Sequence, residues 1–208
     1  AVCLARTDQD ASKHKGITYF LVDMSSAGID IRPLRELTGR ALFNEVFLDG
    51  VFVPDEYVVG EIDGGWRLAR TTLANERVAM GGAGLGKEVD ALLRQLGERA
   101  TELDPAQAAR LGGIIADAHI GRVLDARALV QRLSGTDPGA TSSVRKLIGV
   151  VHRQEVPEFA MDLLGADALT PHAATDLFLL NRCLSIAGGT TQILRNATAE
   201  RILGLPRG

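Results

Sequence analysis

The chain has 208 residues, of which 46% are hydrophobic and 24% charged, and this composition excludes a disordered or fibrous protein. The formal net charge of −3 gives no electrostatic basis for binding nucleic acid. No apolar stretch approaches the ~20 residues of a membrane-spanning helix, and no secretion signal is evident, so we expect a cytoplasmic protein. Neither the four histidines nor Cys3 and Cys183 have the spacing of a metal site or a disulfide.

Residues 1–62 have the pattern of β-structure. Residues 1–6 are typical of the middle of a strand, so we expect partner strands from sequence upstream of them. Residues 17–24 are rich in β-branched and aromatic side chains, which favour strands. Residues 29–32 alternate in polarity and then meet Pro33, where we expect the strand to stop.

A β-hairpin is predicted at the end of this region. Residues 43–48 and residues 51–53 are joined by Asp49-Gly50, and Asp-Gly is a strong signal for a two-residue hairpin turn. Pro54 ends the second segment. We therefore expect an antiparallel β domain of which only the carboxyl part is present.

From Gly64 onward the spacing of apolar residues becomes helical. The pattern predicts long helices over about 65–96, 105–133 and 142–164, a short helical connector over 171–180 and a last helix from Thr190. Asp104 and Pro105 form a strong start signal, whereas Pro157 should kink or split its helix. The predicted fold class is α+β, with a partial antiparallel β domain (1–62) followed by an antiparallel four-helix bundle (63–208).

Two glycine-containing segments are candidates for ligand binding. Residues 81–86 do not match Gly-x-Gly-x-x-Gly and follow no strand, so we expect their glycines to allow close helix packing instead. Residues 187–190 form a small-residue turn that leads into a helix ending near Gly204. Such a turn lets a large anionic ligand approach the backbone, and the helix start offers it N–H groups.

Several segments together resemble the acyl-CoA dehydrogenase family of flavoenzymes. They are residues 43–54, 59–61, 64–66, 75–77, 187–190 and 199–207. The resemblance implies FAD as cofactor, an acyl-CoA thioester as substrate and an electron-transferring flavoprotein as acceptor. It also implies a homo- or hetero-oligomer, either a dimer or a tetramer. The family's amino-terminal helical domain and the first part of its β domain have no counterpart in this sequence.

The implied reaction is α,β-dehydrogenation, in which a carboxylate removes the α-proton while a hydride passes to N5 of FAD. Such a base needs a raised pKa, which burial supplies. Many family members place it just before Gly-Thr in the carboxyl motif, where this chain has Gly188. Isovaleryl- and long-chain-type members place it in a Glu-Arg pair on the first long helix, which Glu76-Arg77 resembles. We expect Glu76 to be the catalytic base and Arg77 to support it at the substrate.

The resemblance also assigns contacts with FAD. Gly189, Thr190 and Gln192 match family positions that approach the flavin, although such residues also serve simply to cap a helix. Two family elements that reach a neighbouring subunit's FAD are altered here. The nearest match to Arg-x-x-Phe-Gly is residues 94–97, which lack the aromatic, and Gln-x-x-Gly-Gly is replaced by residues 162–166, which begin with an aspartate.

These departures leave three functions open. The first is a dehydrogenase subunit that binds FAD together with a different partner, as in heteromeric actinobacterial-type enzymes. The second is a non-catalytic or half-site partner subunit, which the altered elements favour and Glu76 disfavours. The third is a flavin oxidase or monooxygenase on the same fold, in which oxygen reaches the reduced flavin. The 208-residue chain alone is expected to be inactive if its upstream domain is required.

Overall fold

The computed structural model describes residues 1–80, 84–97, 102–135 and 141–206, except for the side chains of residues 74 and 77–80. The chain divides into two compact units, Ala1–Asn75 and Glu76–Gly208. The domain boundary expected between residues 62 and 63 stays a prediction.

The first unit contains two separate antiparallel pairs of strands, β1 with β2 and β3 with β4. The strands are β1 (Val2–Arg6), β2 (Ile17–Leu21), β3 (Ile29–Leu34) and β4 (Phe43–Leu48). The strand predicted at the start of the sequence is confirmed as β1. Pro33 does not stop β3 as predicted, because β3 pairs only with β4 among the described strands and an edge strand tolerates a missing N–H group.

The hairpin predicted around Asp49-Gly50 is wrong. β4 pairs with β3, which precedes it, and residues 51–53 do not form a strand. The N–H of Asp49 donates to the Gly28 carbonyl oxygen at 2.9 Å, so Asp49 closes the β3–β4 pair. The Asp-Gly signal therefore marks the end of the β3–β4 pair and not a hairpin turn, because β4 pairs with the strand that precedes it.

From Gly65 onward the described part of the chain is mainly helical, and the predicted α+β fold class is confirmed. The α-helices are α1 (Gly65–Met80), α2 (Lys87–Leu96), α3 (Pro105–Leu133), α4 (Thr141–Leu164), α5 (Ala173–Leu180) and α6 (Thr191–Arg201). The start predicted for α3 is confirmed by a capping box. Asp104 Oδ1 accepts from the Gln107 N–H at 2.8 Å, and Gln107 Oε1 accepts from the Asp104 N–H at 3.1 Å. Among the described residues, no helix combines the length and the apolar character needed to cross a membrane.

The first long helix predicted from the sequence is two helices in the structure. Residues 84–86 form a turn immediately before α2, and we call it the α2 turn. Gly84 and Gly86 have φ angles of +89° and +88°, which end helical geometry and favour glycine. The expected packing role of the glycines also holds at Gly86, where a Cβ would lie 3.0 Å from the Ala118 Cβ of α3. Residues 81–83 lie outside the described part of the chain.

Pro157 does not split α4, which is continuous from Thr141 to Leu164. A proline lacks the N–H that would bond to the carbonyl oxygen four residues earlier, which here belongs to Arg153. Asn181 Nδ2 donates to this oxygen at 2.7 Å. A side chain distant in sequence therefore replaces the missing helical hydrogen bond, and the part-buried carbonyl keeps a partner.

The hydrophobic core of the second unit lies between α2, α3, α4 and α5. Its buried members are Val89, Leu92, Leu111, Ile114, Ala118, Val156, Phe159, Ala160 and Ala174. This packing makes α4 a fixed support, and the candidate site is built against its amino-terminal half.

Candidate functional site

The segment that precedes α6 brings together the three predicted cofactor-binding residues. Gly188 and Gly189 have φ angles of +67° and +106°, and Thr190 is the N-cap of α6. The Thr190 side chain accepts from the Ile193 N–H at 3.3 Å, so Thr190 caps α6. Gln192 lies exposed in the first turn of the helix. We call residues 188–190 the α6 turn.

The α6 turn is held by a lysine that the sequence did not single out. Lys146 of α4 is buried, with 7% of its surface exposed, and its Nζ donates to the Gly189 carbonyl oxygen. Its neighbours one helical turn away, Ser143 and Gly149, are also buried. The helical period of α4 could therefore have marked Lys146 as a cation on a buried face.

The residue before Lys146 takes part in a second polar network. Arg145 Nε donates to Asp125 Oδ1 at 3.0 Å, and only 6% of the Arg145 side chain is exposed. Asp125 Oδ2 in turn accepts from the backbone N–H groups of Gly84 and Leu85, at 3.2 and 3.1 Å. Two adjacent cations of α4 thus connect to the two glycine turns, Arg145 to the α2 turn through Asp125 and Lys146 to the α6 turn directly.

Leu85 fixes the α2 turn by packing as well as by its N–H. Its side chain is 4% exposed and lies between α3 and α4. A Cβ at Gly121 would lie 2.8 Å from the Leu85 Cβ, and a Cβ at Gly149 would lie 2.4 Å from its Cδ2. Beside it is a small cavity of about 20 Å³ whose lining includes Lys146, Leu184 and Ala187. Leu85 therefore packs close to the side of α4 that supports the α6 turn.

The predicted catalytic base lies on another element. Glu76 is in α1 and is exposed, so this chain does not provide the burial expected around a base. The side chain of Arg77, predicted to act at the substrate, lies outside the described residues. The catalytic and substrate-binding roles of these two residues stay predictions.

The two altered segments, residues 94–97 and 162–166, border one cavity of about 400 Å³. Its lining is formed by Leu92, Gln95, Leu96, Glu102, Leu103, Gln107, Ala160, Leu163, Leu164 and His172. Among the described lining residues there is no lysine or arginine, and the one charged group is a carboxylate. Asp162 itself is ion-paired with Arg110 Nη1 of α3. The described lining of the cavity therefore lacks the positive charge that favours a phosphate.

Known proteins resemble this chain over almost its whole length. A family model described as "Acyl-CoA dehydrogenase, C-terminal domain" matches residues 63–203. Acyl-CoA dehydrogenase FadE34 of Mycobacterium tuberculosis is 61% identical over 207 residues, which make up 99% of this chain and 29% of FadE34. Acyl-CoA dehydrogenase IpdE1 of the same species is 35% identical over 215 residues, covering 98% of this chain and 54% of IpdE1.

Solved structures share the fold. The structure described as "Tcur3481-Tcur3483 steroid ACAD" superposes with a TM-score of 0.86 at 27% identity, covering 99% of this chain and 56% of that one. The chain therefore spans less than two thirds of the length of each of these relatives.

Proposed function

The chain belongs to the acyl-CoA dehydrogenase family, whose members depend on FAD, and we propose that it supplies flavin and substrate contacts in an enzyme that oxidises an acyl-CoA thioester between Cα and Cβ. The observation that carries this proposal is the α6 turn, in which two glycines with positive φ lead directly into the start of a helix. The electron acceptor is proposed to be an electron-transferring flavoprotein.

The residues of the α6 turn fit a flavin. Glycines present no Cβ to a planar ring system, the start of α6 orients backbone N–H groups outward, and Gln192 adds an exposed amide. Gly189, Thr190 and Gln192 would hold FAD, which supplies a hydride acceptor when bound. Gly188 has no side chain with which to accept a proton, so a base must come from another element.

We assign the proton transfer to Glu76. In this role its carboxylate oxygen removes the α-proton of the thioester and holds it as the carboxylic acid. Because Glu76 is exposed in this chain, the bound thioester or other parts of the protein would have to exclude water from it during the reaction. Arg77, the next residue, would support the substrate beside it.

A glutamate-to-glutamine pair of variants tests the base. In the complete protein, with its partner subunit if there is one, Glu76→Gln should lower kcat by about 10²–10⁴-fold with an acyl-CoA substrate and an artificial electron acceptor. The absorbance spectrum of bound FAD should be unchanged. Glu56→Gln, at another exposed glutamate, is the matched control and should retain wild-type turnover. Turnover in Glu76→Gln equal to that of the control would remove Glu76 as the base.

A second candidate function, the half-site partner subunit, is favoured by the 400 Å³ cavity. The segments that border it correspond to those with which the family reaches a neighbour's FAD, yet no described cation lines it and a carboxylate does. We therefore propose that the enzyme pairs this chain with a different subunit and holds fewer flavins than subunits. Measuring FAD per subunit after co-expression with neighbouring genes tests this. One FAD per subunit in a purified homo-oligomer would contradict it.

The acyl group is proposed to be bulky. Gly188 leaves room where many family members have a glutamate, and a solved structure similar to this chain is described as a steroid ACAD. A panel of CoA esters that spans short straight, branched and polycyclic acyl groups should give its highest kcat/KM with a branched or polycyclic one. The same assay without an artificial acceptor addresses the oxidase alternative, because rapid reoxidation by air would favour it.

A further inference from the structure

We infer that Lys146 is a positioning residue for the α6 turn and, resting on the proposed function, for the flavin contacts of that turn. Lys146 lies in α4, 43 residues before Gly189 in the sequence, and its Nζ donates to the Gly189 carbonyl oxygen. None of the roles implied by the sequence uses this side chain.

The bond acts on the peptide unit that begins the helix. The carbonyl of Gly189 and the N–H of Thr190 belong to the same planar peptide group, so a donor that fixes the oxygen also fixes the direction of the N–H. Thr190 then caps α6 through its side chain, and its own carbonyl oxygen accepts from the Leu194 N–H at 3.0 Å. Lys146 therefore sets the orientation of the helix start at the position that is proposed to face the flavin.

The turn needs such a contact because of its composition. Two consecutive glycines have more accessible backbone conformations than any other pair, and both have positive φ here. Hydrogen bonds from a charged donor are roughly twice as strong as those between neutral groups, and this donor belongs to a buried lysine. Lys146 thus restricts a segment that would otherwise sample several conformations.

The residues of α4 near Lys146 are hydrogen-bonded and closely packed. The preceding residue, Arg145, is anchored through Asp125 to the N–H groups of the α2 turn. Gly149, one turn further along α4, packs against Leu85 of the α2 turn. The residues on either side of Lys146 in α4 are therefore held in place by contacts that do not involve the α6 turn.

The test replaces Lys146 with methionine, which has a similar length and no donor, in the complete protein with its partner subunit if there is one. Exchange of the Ile193 and Leu194 amides, measured by hydrogen-exchange mass spectrometry, should accelerate about tenfold or more. The Kd for FAD should rise by a similar factor, and the flavin midpoint potential should shift. Lys146→Arg keeps a charged donor and should recover part of both properties.

Arg122→Met is the matched control. Arg122 also donates to a glycine carbonyl, that of Gly86, at 3.0 Å, but at the α2 turn. Its loss should leave amide exchange at residues 193 and 194 and the Kd for FAD at their wild-type values.

Four outcomes decide the inference. Unchanged exchange in folded Lys146→Met would overturn it, and faster exchange with an unchanged Kd for FAD would overturn the link to the flavin. If Lys146→Met does not fold, the same measurements are made on Lys146→Gln, whose side chain is too short to reach Gly189. Unchanged exchange or an unchanged Kd for FAD in that variant would then have the same meaning. If the wild-type protein binds no FAD at all, the proposed function fails, and exchange alone then decides whether Lys146 positions the turn.

Discussion

The α2 turn and the α6 turn both contain glycines with positive φ, and in each a glycine carbonyl oxygen accepts from a cationic side chain. They differ in that a carboxylate also accepts from the backbone N–H groups of the α2 turn. At the α2 turn, the Asp125 carboxylate accepts from the N–H groups of Gly84 and Leu85. At the α6 turn, the Lys146 ammonium donates to the carbonyl oxygen of Gly189. Glycines with positive φ alone therefore do not distinguish a ligand-binding turn from a structural one.

The use of the backbone N–H groups by a carboxylate separates the two roles. An anionic ligand is bound by backbone N–H groups, and Asp125 uses those of the α2 turn while placing a carboxylate beside them. Support through a carbonyl oxygen, as at Gly189, uses none of the N–H groups of the α6 turn. The N–H groups of Gly84 and Leu85, two of the described residues in 81–86, are therefore already bonded, which gives a physical reason to expect that this segment does not bind a dinucleotide.

The largest effect is expected from Asp125→Ala, which removes the carboxylate from the α2 turn. The buried Arg145 guanidinium would lose its carboxylate partner, so the free energy of unfolding should fall by about 3–5 kcal/mol. Urea denaturation measures it. Asp90→Ala removes an exposed partner of Arg122 and should cost less than about 1 kcal/mol. Equal losses in the two variants would show that the Asp125 network does not hold the turn.

A smaller effect is expected from filling the space that Leu85 occupies. In Gly121→Ala the new Cβ would lie 2.8 Å from the Leu85 Cβ, and the resulting overpacking should cost about 1–3 kcal/mol. Gly113→Ala is the control on the same helix, because no described atom beyond the adjoining residues of that helix lies within 4 Å of its added Cβ. There the higher helix propensity of alanine should stabilise the protein by about 1 kcal/mol. Changes of the same sign in thermal unfolding would contradict the close packing of Leu85.

Local signals predicted those features whose hydrogen bonds are local. The start of α3 follows from Asp104, Pro105 and Gln107, which all lie within four residues. The end of the second strand pair and the continuity of α4 depend on distant partners, which a local pattern does not contain. Asn181 supplies the hydrogen bond that Pro157 removes, 28 residues after the carbonyl that it satisfies.

The candidate site also combines a feature that the local sequence predicts with one that depends on a distant contact. The α6 turn was visible as a string of small residues, and Thr190 caps α6 as that string predicts. Its support was not visible, because Lys146 meets Gly189 only when α4 packs beside the start of α6. The roles of Glu76 and Arg77 rest on the family resemblance alone, because Glu76 is exposed and the side chain of Arg77 lies outside the described residues.

The smallest effect is expected from Thr190→Ala. This variant separates a capping role of the α6 turn from a role in ligand binding. The loss of the bond from the Ile193 N–H should lower the free energy of unfolding by about 1 kcal/mol. Thr190→Ser keeps the hydroxyl and should restore most of that stability. If Thr190 serves only as a cap, the Kd for FAD should be the same in wild type and Thr190→Ser. Any rise in the Kd of Thr190→Ala should then be explained by its lower stability. If the turn contacts the flavin, Thr190→Ala should weaken FAD binding even under conditions where the protein is fully folded, whereas Gly113→Ala, which alters no part of the turn, should not.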